Sequence, residues 1–318
     1  MSQIAALPKE YAIDQDADDL ITTVLNGADD VIACLDANRI VNLRELLETT
    51  GLPHECLFQG QLATEAAEVA PWLVRLKQGD KLLRQLVTSA GPKLANRFAF
   101  REAEAGIFIH SDMTLAALRQ HFRRFMRVVT SDGRAYLFRF WEPSIAAAYF
   151  PGINDRPDLV TRWFKSREGG TITQIIAPLP HAERPQLLCL TPQGLPVDAH
   201  PPAGQFKLTQ GDVARFQEVR LTRDITKIAT RLADTFPQAA GAIKDVTMAD
   251  FTRNGVMRMM QLGFVQQSML FTLLAWDLHY GPRFETRDPQ GHLARILTDD
   301  APEAQRFAQL KARMAQIG

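Results

Sequence analysis

An imidazole beside a thiol is the most chemically suggestive pair in the chain, and it occurs at His54-Glu55-Cys56. A histidine that takes the proton of a cysteine makes a thiolate nucleophile. The surrounding run ECLFQG (55–60) reads as a strand, however, whose rise of about 3.3 Å per residue sets positions two apart roughly 6.6 Å from each other. The tripeptide therefore does not preassemble a Cys–His pair, and a structural role is expected. The seven histidines, at 54, 110, 121, 181, 200, 279 and 292, lack metal-ligand spacing. The three cysteines, Cys34, Cys56 and Cys189, stand far apart without a CxxC, which indicates neither a disulfide framework nor a zinc knuckle. GxSxG, P-loop, HExxH and GxGxxG patterns are all absent from the sequence. The expectation is a protein that is not an enzyme and uses no metal or cofactor. An enzyme whose site converges from distant segments stays open as an alternative.

Binding chemistry is better represented. Arg119, Arg123, Arg124, Arg127, Arg134 and Arg139 form the one concentrated charge feature. On a common surface they would suit phosphate or acidic protein partners. They would equally suit ion pairing with neighbouring carboxylates, their stems covering apolar surface. Lys+Arg and Asp+Glu are both 36, so the formal charge is zero and the global attraction used by most nucleic-acid and anionic-membrane binders is missing. A nucleic-acid partner is accordingly not expected, although a phosphate- or nucleic-acid-binding module remains the second alternative.

The elements that must position these arginines lie between Thr114 and Phe150. Leu115, Leu118, Phe122 and Phe125 recur at helical steps, with Arg119, Gln120, Arg123 and Arg124 on the other side. Ser111 or Asp112 is placed to cap that helix. From Met126 the pattern becomes MRVVT, then Asp132-Gly133, then AYLFRFW, which predicts a hairpin over 126–141. With Asp132 and Gly133 as a two-residue turn, Val128 would face Leu137 and Val129 would face Tyr136. Both faces of such a ribbon are apolar, which predicts an interior place in a mixed sheet covered by helices on both sides.

Strands are expected at 31–36, 55–60, 72–76 and 105–110, with helices at 14–26, 39–51, 63–70 and 80–91 between them. This reads as an α/β (α+β) domain over 1–151. Residues 152–210 are polar, turn-rich and crowded with prolines, and read as a connecting segment with short strands at 171–177 and 186–191. Residues 211–318 read as a helical domain. Its helix at 247–262 carries Met248, Phe251, Gly255, Met259 and Leu262 on one stripe, with Met257 and Met260 off it. The next, apolar nearly all round, is expected at the centre of a small bundle. Five of the nine methionines lie between 248 and 270; their helical spacing favours core packing, though flexible thioethers also make adaptable binding surfaces. The N-terminus lacks a basic start followed by an apolar run, and no stretch approaches the roughly 18 apolar residues of a membrane span. A cytoplasmic protein with no membrane partner is expected.

The order of these pieces resembles a known family. VIACLDANRI, HECLFQGQLATEAAEVAPWLVRL and GIFIHSDMTLAALRQHFRRFMRVVTSDGRAYLFRFWEPSIAAAYFP are similar, over roughly 30–150, to the domain-of-unknown-function family of adaptor chaperones in bacterial type VI secretion, the Tap or Tec proteins. Its most specific marks here are APWLV (70–74), HFRRFMRV (121–128), the Asp132-Gly133 turn and LFRFWEP (137–143), with Trp141 where the family often has Tyr. Residues 250–290 resemble the helical C-terminal region of many members. The resemblance implies an adaptor that binds a cognate secreted effector in the cytoplasm and helps load it onto the VgrG spike. An adaptor needs apolar surface that a free monomer hides imperfectly. Met257, Met260 and Phe264 are its expected source, with Arg123, Arg124 and Arg127 steering acidic client residues.

Overall fold

A computed structural model describes residues 3–10, 17–88, 103–130, 133–179, 186–244 and 246–317. The chain divides into two compact units, Met1–Gln217 and Glu218–Gly318.

The first unit opens with β1 (Gln3–Glu10), α1 (Ala17–Leu25), β2 (Asp30–Asp36), α2 (Leu43–Thr50) and β3 (His54–Cys56). Next come α3 (Gln61–Glu65), β4 (Pro71–Lys77), α4 (Lys81–Val87), β5 (Gly106–Ser111) and α5 (Leu115–Met126). The hairpin strands β6 (Arg127–Thr130) and β7 (Ala135–Leu137) are followed by α6 (Pro143–Tyr149) and α7 (Pro157–Phe164). The strands β8 (Ile172–Leu179), β9 (Gln186–Gln193) and β10 (Lys207–Leu208) then lead into the long helix α8 (Gln210–Thr235), which crosses into the second unit.

Seven strands form one sheet in the order β1-β9-β8-β5-β2-β4-β3, antiparallel at every pairing. Residues 31–36 of β2 are buried without alternation, as expected for an interior strand covered on both faces. Gly106 is needed where β5 meets β2, because a Cβ there would lie 2.1 Å from the Cys34 carbonyl oxygen. β1 completes one edge by pairing with β9 from Gln3↔Gln193 to Glu10↔Gln186. An edge position tolerates Pro8, which has no N–H to offer a second neighbour. Residues 152–210, read from sequence as a connector, contribute α7, β8, β9 and β10, with Pro178 and Pro192 inside strands. Pro180 and Pro185 lie outside the described residues.

The hairpin forms, but not where its apolar faces suggested. It belongs to a second sheet, ordered β10-β6-β7, in which β10 runs parallel to β6 and β7 is an exposed edge. Its register also differs by one from the expected pairing: Val128 faces Tyr136 and Val129 faces Ala135. The cause is the loop. The Thr130 N–H bonds the Arg134 carbonyl at 3.0 Å, so residues 131–133 connect the strands, with Gly133 at φ 81°. A three-residue loop ending on a left-handed glycine replaces the two-residue turn; Asp132 lies outside the described residues. After Leu137 the chain leaves the strand and sends Phe138, Phe140 and Trp141 into the core.

There they join a cluster of rings. Phe125 stacks on Trp163 at 3.7 Å between centroids, and Trp163 Nε1–H donates to the Tyr149 hydroxyl at 3.0 Å. His121 Nε2–H donates to the Trp163 carbonyl at 2.8 Å, and burial pushes its pKa down to about 4. Fully burying each such aromatic contributes roughly 1.5–3 kcal/mol, which explains why the LFRFWEP segment is so apolar. Asp212, at the start of α8, is buried too: it takes both guanidinium nitrogens of Arg156, at 2.7 and 3.1 Å, and the Thr209 N–H at 2.8 Å. Burial alone would raise its pKa, but the Arg156 and Thr209 hydrogen bonds outweigh it and hold the carboxyl below its ordinary value.

The second unit continues with α9 (Pro237–Gly241), α10 (Met248–Gln261), α11 (Gln267–Tyr280), α12 (His292–Thr298) and α13 (Glu303–Ile317). The α/β unit followed by a helical unit is the expected fold. Val256 and Met259 from α10, Leu270, Leu273 and Leu274 from α11, and Leu310 and Met314 from α13 build one core. In α11, Met269, Leu270, Leu273 and Leu274 are buried, and Phe271, Ala275, Trp276, Leu278 and Tyr280 are half-buried against the same core, so its apolar residues pack on more than one side. Asp277 of the same helix faces inward to meet Arg258 at 2.7 Å and the Phe284 N–H at 3.1 Å. The desolvation of Asp277 outweighs Arg258 and raises its pKa.

Candidate partner-binding surface

α5 starts at Thr114, whose hydroxyl accepts the Ala117 N–H at 3.2 Å. The expected caps are occupied elsewhere: Ser111 Oγ donates to the Thr171 carbonyl at 2.8 Å, and Asp112 accepts the Thr171 N–H at 2.7 Å. Leu118, His121, Phe122 and Phe125 are buried, which turns the arginine side of the helix outward.

Five of these arginines separate into two classes. Arg119 donates to the backbone carbonyls of Cys56 at 2.6 Å and Phe58 at 3.1 Å, which fastens the loop after β3 to α5. Arg124 pairs with Glu168 at 2.9 Å. Arg139 meets Asp36 at 2.5 Å and lies 2.5 Å from Glu142. These three hold the fold together. Arg123 in the last turn of α5 and Arg127 at the start of β6 are exposed and form no ion pair or side-chain hydrogen bond among the described residues. Two guanidinium groups are thus left with their full hydrogen-bonding capacity toward a carboxylate.

Both line a groove of about 470 Å³. One wall comes from the loop that Arg119 fastens, through Leu57, Phe58 and Gln59, together with Leu62 of α3. The other comes from the edge strand, through Ala135, Tyr136 and Leu137, with Met126 between the two arginines. Leu62 is 53%, Tyr136 42% and Leu137 52% exposed, a concentration of solvated apolar side chains that folded proteins usually bury. None of the three was apparent as a site residue in the sequence. The available signal was the unbroken apolar run AYLF, which on an uncovered strand has to leave some side chain in water.

The other expected contacts lie in the second unit. Met257 and Met260 are 41% and 37% exposed on α10, off its buried stripe, so they are open to a partner. Phe264 is not. It is fully buried in the helical core, with the Arg306 guanidinium 4.4 Å from its ring centroid, and cannot offer its ring to a client without unfolding that corner. Arg306 in turn donates to the carbonyls of Leu262 at 2.8 Å and Leu297 at 2.7 Å, satisfying the ends of α10 and α12.

The His54–Cys56 pair is not assembled. The His54 Nδ1–H donates to the Leu52 carbonyl at 2.7 Å, and burial pushes the Cys56 thiol up, away from the thiolate form. Among the described residues no three His, Cys, Asp or Glu side chains gather where they could hold a metal ion, and no helix is long and apolar enough to cross a membrane.

No curated protein matches the chain. No solved structure matches it. Residues 33–157, which include every residue lining the groove, match the family model described as a domain of unknown function (DUF4123).

Proposed function

We propose that the protein is a non-enzymatic adaptor that binds a secreted effector and helps load it onto the VgrG spike of a type VI secretion system. The reading starts from the family match, since that family is associated with effector adaptors of type VI secretion. The observation that carries it further is the groove. It combines exposed apolar side chains with two guanidinium groups that are unpaired among the described residues, and it lies wholly inside the matched region. Apolar area supplies affinity for a protein segment, and cations beside it select acidic neighbours and speed encounter. Met257 and Met260 provide a second, smaller apolar feature outside the matched region.

A phosphate- or nucleic-acid-binding role is less well supported. It needs a continuous unpaired basic face, whereas Arg119, Arg124 and Arg139 are engaged within the protein. Co-expression with the product of an adjacent toxin gene tests the adaptor role. Stable co-purification at a fixed ratio is expected, and release of the toxin by Arg123→Glu with Arg127→Glu should follow. Absence of any complex with the wild-type chain would contradict the reading.

A further inference from the structure

The groove borders a strand whose outer edge has no partner among the described residues. In the β6–β7 ladder the Thr130 N–H bonds the Arg134 carbonyl and the Phe138 N–H bonds the Met126 carbonyl. Bonded pairs alternate along an antiparallel ladder, so Val128 and Tyr136 form the bonded pair between them. The N–H and C=O groups of Ala135 and Leu137 therefore point away from β6, and among the described residues β7 has no neighbour on that side. All three consecutive residues of β7 line the groove. Neighbouring side chains of a strand point to opposite faces, so a groove that touches all three runs along the strand's edge and not across one face.

We infer that the groove receives its partner as an extended segment that adds a strand to the free edge of β7, with apolar residues toward Leu62 and acidic residues toward Arg123 and Arg127. This rests on the reading of the surface as one that binds protein. Three features of the groove fit such an occupant. The outward groups of Ala135 and Leu137 supply main-chain hydrogen bonds, the apolar wall accepts alternate side chains, and the two arginines supply charge-assisted bonds to carboxylates. A second copy of the chain is a poor occupant, because pairing β7 with β7 would bring the unpaired arginines of both copies to one seam, where like charges repel. At three residues the edge is also short, which limits such self-pairing.

The test uses the full chain and two synthetic seven-residue peptides, one alternating valine with glutamate and one alternating valine with lysine. Binding is followed by fluorescence anisotropy, and amide hydrogen exchange is read at single residues over 133–138. The glutamate peptide should bind at least tenfold more tightly than the lysine peptide. At saturation it should slow exchange at Ala135 and Leu137 at least tenfold while changing Tyr136, already bonded inward, far less. Arg123→Glu with Arg127→Glu should reverse the preference between the peptides, which shows that the variant is folded and that the arginines set the choice. Absence of binding, binding without protection of those two amides, or equal binding of both peptides would overturn the inference. So would a free protein that is dimeric with both amides already protected. If a natural effector co-purifies while the glutamate peptide leaves Ala135 and Leu137 unprotected, strand addition is wrong and the adaptor role stands. If the peptide protects them but no effector is bound, the adaptor role is wrong and the edge site stands.

Discussion

The guanidinium of Arg139 meets the fully buried carboxylate of Asp36 at 2.5 Å, which ties the segment leaving the hairpin to the end of β2. The second oxygen of Asp36 accepts the Asn38 N–H at 3.0 Å, so neither oxygen is wasted. Truncating one member of a buried ion pair typically costs about 3–5 kcal/mol, because its partner is left partly desolvated. Asp36→Ala should therefore destabilise the first unit by about 3 kcal/mol in urea, followed by the fluorescence of Trp72, Trp141 and Trp163. A loss under about 1 kcal/mol would mean that the contact is not formed in solution.

His121 makes the stability of the same unit depend on pH. Its folded pKa is lowered to about 4, whereas an unfolded histidine titrates near 6.5. Between these values the unfolded chain binds a proton that the folded chain refuses, so stability is full above about pH 6.5 and falls as the pH drops toward 4. The loss should reach roughly 3 kcal/mol and flatten below pH 4. Asp212 acts in a lower window: its lowered pKa adds stability that is lost only as the pH falls below about 3.9. Unfolding of a His121→Gln variant, less stable at neutral pH, should show a shallower slope between pH 6.5 and 4. An unchanged slope would assign the dependence elsewhere.

What could be read before the structure follows a clear division. Local patterns were legible: the Leu118, Phe122 and Phe125 stripe is α5, and the runs at 31–36, 72–76 and 105–110 are strands of the main sheet. Facts that depend on distant partners were not. Whether an arginine is spent or free turns on groups far along the chain, 103 residues away for Arg139 and 63 for Arg119. β1 is a strand because β9 accepts it; QIAALPKE has no alternation that announces one. The hairpin was legible and its register was not, since one additional loop residue changes every cross-strand pair while leaving the composition of both strands unchanged. The groove needed that register to be found. Met257 and Met260 lay off the expected stripe and are exposed, but Phe264, close to them in sequence, is core.

That difference gives a paired prediction in the helical unit. Phe264→Ala should destabilise it by about 3–5 kcal/mol through the cavity and the lost Arg306 contact, measured by circular dichroism on urea unfolding. Met257→Glu with Met260→Glu should change stability by less than about 1 kcal/mol, since both side chains are already solvated. The same double variant should retain effector binding within about threefold if the groove on the first unit carries the affinity. Loss of binding in a folded Met257→Glu, Met260→Glu protein would move the principal contact to α10.

Leu137 separates fold from binding at the edge strand. Its side chain is 52% exposed, so Leu137→Lys should leave the thermal midpoint within a few degrees, while adding a third cation and removing apolar area from the groove wall. Affinity for the effector should fall at least tenfold. An unchanged affinity would show that β7 does not touch the partner.

Titration calorimetry of the effector against wild type and the Arg123→Glu, Arg127→Glu variant tests most directly whether the groove beside Arg123 and Arg127 binds the effector. Both arginines are solvated and unpaired among the described residues, so the variant should fold as the wild type does. Its affinity should fall by at least tenfold, and the wild-type affinity should weaken with added salt more steeply than the variant's. A folded variant that binds the effector with wild-type affinity and wild-type salt dependence would contradict the account.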